Sequence, residues 1–332
     1  MKPADADVIA VVGAGRMGRG IGHVFAFAGR PITILDVKDR PAADFQKLAQ
    51  QAREEIATDM RFLASLGVMN EFQVQAALKL IDIRPAADAQ KVLGGATVIL
   101  EGVPETREAK QSAFALISRL ARPDAIVTST TSTMLVTELQ GYISHPERFL
   151  NTHFLNPAFL IPLVEVSAGP ATNEAAVVKI MQLFEAVGKV PVRCSASPGY
   201  IVPRLQSLIM AESCRMVAEG VASAEAIDKA IMCGFGPRYA TMGVLEFVDW
   251  GGVDILFYGG HNLSRALNSP RHAPPPEIEE MMKTGRKGMR EGRGFYDYTK
   301  MDVEAFKREK IARFVGILRN TGQLPKPGVP ER

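Results

Sequence analysis

Val8-Ile9-Ala10-Val11-Val12-Gly13-Ala14-Gly15-Arg16-Met17-Gly18 is the stretch that decides the fold. The unbroken apolar run Val8–Val12 is the mark of a short strand buried on both faces. It leads directly into the pattern Gly-x-Gly-x-x-Gly. Beyond it Met17, Ile21, Val24 and Ala28 keep a helical spacing that Gly29 stops, and Pro31-Ile32-Thr33-Ile34-Leu35 reads as a second buried strand ending at Asp36. Strand, glycine turn, helix, strand and acid within about thirty residues predict a βαβ nucleotide-binding unit. Gly13 allows the tight turn, Gly15 lets a pyrophosphate approach the backbone, and Gly18 lets helix and strand pack closely. The helix start, with Arg16 and Met17 in it, offers free N–H groups to the phosphates. Asp36 stands eighteen residues after Gly18, placed to accept from a ribose diol and to repel a 2′-phosphate, which favours NAD over NADP. Lys38 and Arg40 stand near enough to soften that preference.

Outward from this unit the pattern continues as alternating helices and strands. A polar helix is expected from Ala42 to about Leu66, a short strand at Leu78–Asp82, and a clear strand at Thr97–Glu101 that again ends in a carboxylate. A helix marked by Ala113, Leu116, Ile117, Leu120 and Ala121 leads to a strand at Ala125–Thr128, which closes on the hydroxyl run Ser129-Thr130-Thr131-Ser132-Thr133. A helix from about Asn173 to Val187 precedes the last expected strand, Lys189–Val192. From Gly199 the pattern is helical. Leu205, Leu208, Ile209, Glu212 and Met216 lie on one face of a helix that Gly220 ends, and Ser223 caps another running to about Cys233. Trp250-Gly251-Gly252-Val253 opens a further helix, Pro274, Pro275 and Pro276 mark a rigid loop, and Glu304–Leu318 reads as a terminal helix. The reading is an α/β, Rossmann-type nucleotide-binding domain over residues 1–195, followed by an all-α domain over residues 196–332.

The bulk composition narrows the function. A chain of 332 residues, 47% hydrophobic and 23% charged, is long enough for two ordinary globular domains. A net charge of +3, spread along the chain, gives no reason to expect a nucleic-acid partner and fits a small anionic molecule better. Cys194, Cys214 and Cys233 match no zinc or Cys-x-x-Cys spacing and read as reduced thiols of a cytoplasmic protein. Asp5 and Asp7 ahead of the first strand are unlike a secretory leader, and no apolar run approaches membrane-spanning length. The histidines His23, His145, His153, His261 and His272 form no ligand spacing, so no metal is expected.

The chemistry points to Asn151-Thr152-His153-Phe154-Leu155-Asn156-Pro157 and to Leu163-Val164-Glu165-Val166. One apolar run delivers a histidine at its end; after an Asn-Pro turn a second delivers a lone carboxylate flanked by apolar residues. An isolated buried carboxylate is costly, and His153 is its natural partner, so Glu165 would orient a general base. A structural ion pair is the alternative use of the same residues. In open α/β sheets ligands bind beyond the carboxyl ends of the strands. Glu101, Ser132 and His153 all fall at such ends, although Ser132 also fits an ordinary helix cap.

With those residues in view, the chain resembles the 3-hydroxyacyl-CoA dehydrogenase family over nearly its whole length. The motifs are GAGRMGRGI from Gly13, VILEGVPET around Glu101, TSTTST from Ser129, HFLNP and PLVEV around His153 and Glu165, SPGYIVPRL around Pro198, and GRGFYDY from Gly292. The resemblance implies His153 as catalytic base, Glu165 as its orienting acid, and Ser132 as binder of the substrate hydroxyl. It also places Asn156 near the nicotinamide, where it would orient either the nicotinamide carboxamide or the substrate carbonyl, with Glu101 as a cofactor-side acid and Arg290 as a basic residue near the cofactor. It implies NAD as cofactor, an acyl-CoA substrate, most simply a short-chain L-3-hydroxyacyl-CoA, and a homodimer formed through the helical domain. Two departures stand out. Pro203 occupies the place of an Asn common in the family's PGF-I-V-N-R segment, and a proline nitrogen has no proton to give a substrate. No motif identifies which of Lys47, Arg53 and Arg61 would hold a CoA nucleotide. Dehydrogenases of CoA-free 3-hydroxy acids, such as L-gulonate or carnitine, share the same core motifs and form the alternative.

Overall fold

The computed structural model describes residues 7–328; Asp5, one of the two acids ahead of the first strand, lies outside them. The strands are β1 (Ile9–Val12), β2 (Ile32–Leu35), β3 (Ile81–Arg84), β4 (Val98–Glu101), β5 (Ile126–Ser129), β6 (Phe149–Phe154), β7 (Leu163–Ala168) and β8 (Val190–Ser195). They form one sheet in the order β3-β2-β1-β4-β5-β6-β7-β8, parallel throughout except where β6 meets β7. Between them run helices α1 (Arg16–Phe27), α2 (Ala42–Ser65), α3 (Glu71–Leu78), α4 (Ala89–Gly95), α5 (Arg107–Leu120), α6 (Val136–Leu139) and α7 (Glu174–Ala186). This is the expected Rossmann-type layer structure. Ile9 and Val11 belong to one core cluster with Ile21, Phe25 and Phe184; their neighbours Ala10 and Val12 belong to another with Ile99, Phe114 and Phe149. Alternation along a strand that is buried on both faces produces those two layers.

The order of strands reverses between β1 and β4, and that reversal opens a crevice beyond their carboxyl ends. Two glycines close the turn there. Gly13 has φ +115°, and a side chain on it would strike the Gly102 carbonyl oxygen at 2.8 Å; a Cβ on Gly18 would land on the Gly13 carbonyl oxygen.

The strand expected at Leu78–Asp82 lies further along the chain. Leu78 ends α3, whose start is fixed by a reciprocal Asn70–Gln73 capping box, and the strand is Ile81–Arg84. Helix α8 (Val202–Ala218) follows β8, and the compact units of the chain divide inside it, between Ile209 and Met210. The second unit is all-helical: α9 (Ala224–Ala230), α10 (Gly236–Tyr239), α11 (Val244–Gly251), α12 (Val253–Ala266), α13 (Pro276–Thr284) and α14 (Val303–Asn320). Trp250 lies in the last turn of α11 rather than opening a helix, and the break falls at Gly252, with φ +105°. Nor is the proline run all loop. Pro276 is the first residue of α13, a position whose N–H has no intrahelical acceptor and which proline therefore suits.

Helix α1 carries a buried histidine that the dinucleotide pattern does not call for. His23 is 1% exposed and stacks on Phe159 with ring centroids 4.5 Å apart, yet neither ring nitrogen has a hydrogen-bond partner among the described residues. Burial, reinforced by the nearby Lys189 ammonium, lowers its pKa from 6.5 to about 4. The unfolded chain therefore takes up this proton first. The stabilisation is complete above the ordinary histidine pKa and is lost as pH falls from there toward 4, an effect of about 3 kcal/mol. His23→Phe should lose less stability than the wild type between pH 7 and pH 4.5 in urea unfolding. Parallel pH dependences in the two proteins would reject this role for His23.

Candidate active site

His153 is the fifth residue of β6, and the antiparallel register sets it directly opposite Glu165 on β7. Residues opposite one another in such a pair share a face. His153 Nδ1 lies 2.8 Å from Glu165 Oε2, with the histidine 6% and the glutamate 0% exposed. A carboxylate can only accept, so Nδ1 carries a proton, and in the neutral imidazole the lone pair is then on Nε2. The other glutamate oxygen, Oε1, accepts from the backbone N–H groups of Ile201 and Val202, each at 2.8 Å. Those amides belong to the start of α8, where the first N–H groups of a helix need outside acceptors. Pro203 is the second residue of that helix, a place where the missing N–H costs nothing. Glu165 is thus held on both oxygens, and His153 Nε2 has no hydrogen-bond partner among the described residues.

Ser132 follows β5 on an exposed segment, with its backbone N–H bound to Glu105 Oε1 at 2.9 Å. The same oxygen accepts from the Thr131 hydroxyl and, at 3.0 Å each, from the Thr133 N–H and hydroxyl. Burial alone would push the Glu105 carboxyl up; the Thr131 hydroxyl, Lys110 and the Thr133 donors outweigh it and hold the group below its usual range. Glu105 is the residue that sequence reasoning passed over. Its position on the turn just beyond a strand end was the available signal.

Glu101, expected as a cofactor-side acid, is the last residue of β4. It is fully buried, accepts from Lys110 Nζ at 2.9 Å on both oxygens, and also accepts from Ser129 Oγ at 2.6 Å and the Val103 N–H at 2.7 Å. Four hydrogen bonds use up its acceptor positions. Lys110, also 0% exposed, is its counter-charge. A carboxylate with no exposed surface beside a buried ammonium joins β4, β5 and α5.

The crevice at the strand reversal has a volume of about 380 Å³ and is lined by Gly13, Gly15, Arg16, Met17, Asp36 and Gly102, among others. Asp36 is 4% exposed; its Oδ2 accepts from Arg40 Nε at 2.7 Å and its Oδ1 from the Lys38 N–H at 3.3 Å. Of the two cations that soften the preference for a diol, Arg40 is therefore bound to the acid itself, while Lys38 meets it only through its backbone N–H. A Cβ on Gly15 would meet nothing within 4 Å, so the turn leaves open space where a pyrophosphate would lie. These residues fit a dinucleotide.

Asn156 is not among the residues lining that crevice. It lines a second cavity of about 350 Å³ with Arg16, Arg19, Glu55, Asp59 and Phe159. Arg16 and Arg19 border both spaces. Arg19 is tied to Glu55, while burial and then Glu55 push the Asp59 carboxyl up. None of Lys47, Arg53 and Arg61 lines this cavity; Arg53 bonds the Leu78 carbonyl and Arg61 pairs with Glu71. Arg290 belongs to the second unit, where it pairs with Glu291 at 2.8 Å and Asp254 at 3.8 Å. No group of His, Cys, Asp or Glu able to hold a metal occurs among the described residues, and no helix there is long and apolar enough to cross a membrane.

Comparison with known proteins finds one family over most of the chain. The family model described as 3-hydroxyacyl-CoA dehydrogenase, NAD binding domain, matches residues 8–197, and the one described as 3-hydroxyacyl-CoA dehydrogenase, C-terminal domain, matches residues 199–298. A 3-hydroxybutyryl-CoA dehydrogenase of Mycobacterium tuberculosis is 32% identical over 296 residues, 87% of this chain and 98% of that protein. A 5-formyl-3-hydroxy-2-methylpyridine 4-carboxylate 5-dehydrogenase of Mesorhizobium japonicum is 30% identical over 315 residues, 94% of this chain and 97% of that one. Among solved structures, a 3-hydroxyacyl-CoA dehydrogenase from Archaeoglobus fulgidus superposes with a TM-score of 0.76 at 26% identity, covering 96% of this chain and 100% of the other.

Proposed function

This chain belongs to the 3-hydroxyacyl-CoA dehydrogenase family, and from that premise we propose that it catalyses the reversible oxidation of a short-chain L-3-hydroxyacyl-CoA, such as 3-hydroxybutyryl-CoA, to the 3-ketoacyl-CoA. Its fold is that of an NAD-binding oxidoreductase. The observation that carries the reading is the His153–Glu165 pair, with its carboxylate fixed by two backbone amides. Bound NAD supplies the hydride acceptor for the oxidation. The lone pair on His153 Nε2 takes the proton of the C3 hydroxyl, and Glu165 stabilises the imidazolium that forms while keeping its ring in one orientation. In reduction the imidazolium returns the proton to the developing alkoxide. Ser132 fixes the substrate oxygen, Asn156 orients the substrate on the cavity side, and Gly13, Gly15, Arg16, Met17, Gly18 and Asp36 hold the dinucleotide. Arg290 remains a candidate for the same cofactor from the helical region.

In this reading residues 1–195 handle the nucleotide, and residues 196–332 shape the substrate site and form a homodimer. Leu208, Met210, Val221, Met232, Ile255 and Tyr258 are each at least 60% exposed, apolar surface that a dimer would cover. Three free cysteines accord with the reducing cytoplasm as its place.

One observation favours a second reading. The cavity beside Asn156 sets Glu55 and Asp59 against Arg16 and Arg19, a balance of charge poorly suited to a polyphosphate tail. The Mesorhizobium relative, by its name, acts on a pyridine carboxylate. A CoA-free 3-hydroxy acid is therefore the alternative substrate. NADH consumption with acetoacetyl-CoA and with free acetoacetate separates the two. Turnover of the thioester is the expected result; turnover of the free acid alone replaces the first reading with the second, and turnover of neither removes both.

A further inference from the structure

Two consecutive residues with positive φ, Gly199 at +76° and Tyr200 at +45°, turn the chain into α8. Glycine takes this conformation freely, whereas an aromatic residue does so only when its surroundings hold it there. The surroundings of Tyr200 are specific. Its ring, 7% exposed, lies flat on the His153 imidazole, with centroids 4.9 Å apart and planes 6° from parallel. Its hydroxyl donates to the Thr131 carbonyl at 2.8 Å and accepts from Asn151 Nδ2 at 3.0 Å. Burial pushes the phenol well above its ordinary range, so the hydroxyl keeps its proton and the donation to Thr131 persists.

Asn151 stands two residues before His153 on β6 and so points to the same face. Its Nδ2 also donates to the Met134 carbonyl at 3.0 Å, while its Oδ1 is buried with no hydrogen-bond partner among the described residues. A buried orphan acceptor is unfavourable. The amide keeps it while its nitrogen is aimed at Tyr200.

We propose that Tyr200, anchored by Asn151, is a positioning residue: it fixes the plane of the His153 imidazole and ties that ring to the Thr131–Ser132 segment. The proposal rests on the reading of His153 as general base. A single hydrogen bond from Nδ1 to Glu165 leaves an imidazole free to rock out of its plane, and a parallel ring on its face stops that motion. The residues next to Tyr200 supply the two amides that hold Glu165, so one turn of chain fixes both members of the pair. Through Thr131 the same side chain reaches the residue preceding Ser132, whose segment Glu105 grips by its own hydrogen bonds. Base and hydroxyl binder are thereby held in one register. Proton transfer requires donor and acceptor within about 2.6–3.2 Å, so a small loss of register has a large effect on rate.

The test compares Tyr200→Leu, Tyr200→Phe and His153→Gln with the wild type. The substrate is acetoacetyl-CoA, or acetoacetate if that alone is turned over, and NADH-binding stoichiometry counts the folded sites. Tyr200→Leu should lower kcat per NADH-binding site roughly ten- to a hundredfold with NADH affinity unchanged. Tyr200→Phe, which keeps the stacked ring and loses the ties, should recover most of kcat and retain a raised KM for the keto substrate. A merely structural role would reduce the number of NADH-binding sites and leave kcat per site and KM as in the wild type; that result overturns the proposal. Should the Leu variant not fold, a wild-type KM in Tyr200→Phe overturns it equally. His153→Gln tells the two ideas apart. Full turnover in that variant removes the general-base reading itself, while collapse there beside an unaffected Tyr200→Leu removes only the role given to Tyr200.

Discussion

Replacing His153 with Gln should reduce turnover of acetoacetyl-CoA by about 10²- to 10⁴-fold, the usual share of a positioned general acid–base, with NADH binding unchanged. Glutamine retains much of the size of the ring and can donate an amide N–H to Glu165 Oε2, which His153 Nδ1 meets at 2.8 Å in the wild type. What it lacks is a nitrogen able to accept and return a proton at the position of Nε2. The fall should therefore appear in kcat, and kcat/KM should fall in proportion, because the lost interaction exists only as the proton moves. Stopped-flow reduction under single-turnover conditions, paired with an NADH titration, measures both quantities. If the variant turned over at the wild-type rate, His153 would be a structural histidine and the proposed mechanism would have no base. The pair is set within the sheet, 6% and 0% exposed, so solvent offers little substitute for the missing group.

The largest stability change is expected from Lys110→Met. Lys110 and Glu101 are both fully buried, and the ammonium meets both carboxylate oxygens at 2.9 Å. Removing one member of such a pair leaves the other charge buried without its partner, at a cost of about 3–5 kcal/mol. Ser129 Oγ and the Val103 N–H would remain on Glu101, two dipoles in place of a full counter-charge. Lys110 also lies 3.4 Å from Glu105, so the support of the Ser132 segment should loosen as well. A melting temperature lower by roughly 10 °C is expected, with partial recovery in the double variant Lys110→Met/Glu101→Gln, where no uncompensated charge remains. A melting temperature equal to that of the wild type would show that the pair is not the joint described above. The double variant distinguishes loss of charge balance from loss of packing, since methionine fills most of the lysine stem's volume.

How far the sequence carried the reading depended on whether the deciding interaction was local. The βαβ unit was legible because its signals follow one another along the chain: a buried run, three glycines, a helical spacing and Asp36. Ile9–Val12, Arg16–Phe27 and Ile32–Leu35 lie where that pattern put them. Helix starts set by side chains outside the usual capping signature were less legible. Val244–Gly251 begins at Gly243, whose N–H donates to Glu246, and Pro274–Pro276 read as loop because a proline at a helix start is indistinguishable in sequence from one in a turn. Leu78 reads as strand in the sequence because a short apolar run has no period of its own.

At the candidate site the sequence determined which chemistry was available: a histidine near one strand end, a glutamate within the following apolar run, hydroxyls after another strand, and a glycine turn able to receive a dinucleotide. Only the tertiary structure decided which partners each side chain has. The antiparallel register of β6 and β7 sets His153 against Glu165, and the start of α8 occupies the glutamate's other oxygen. Glu101, which ends its strand as Asp36 does, is turned inward to Lys110, while Glu105 beside it takes the role of holding the Ser132 segment. Strand-end carboxylates look alike along the chain because a sequence records spacing. Their roles differ because burial and hydrogen bonding depend on neighbours that the chain brings together only on folding.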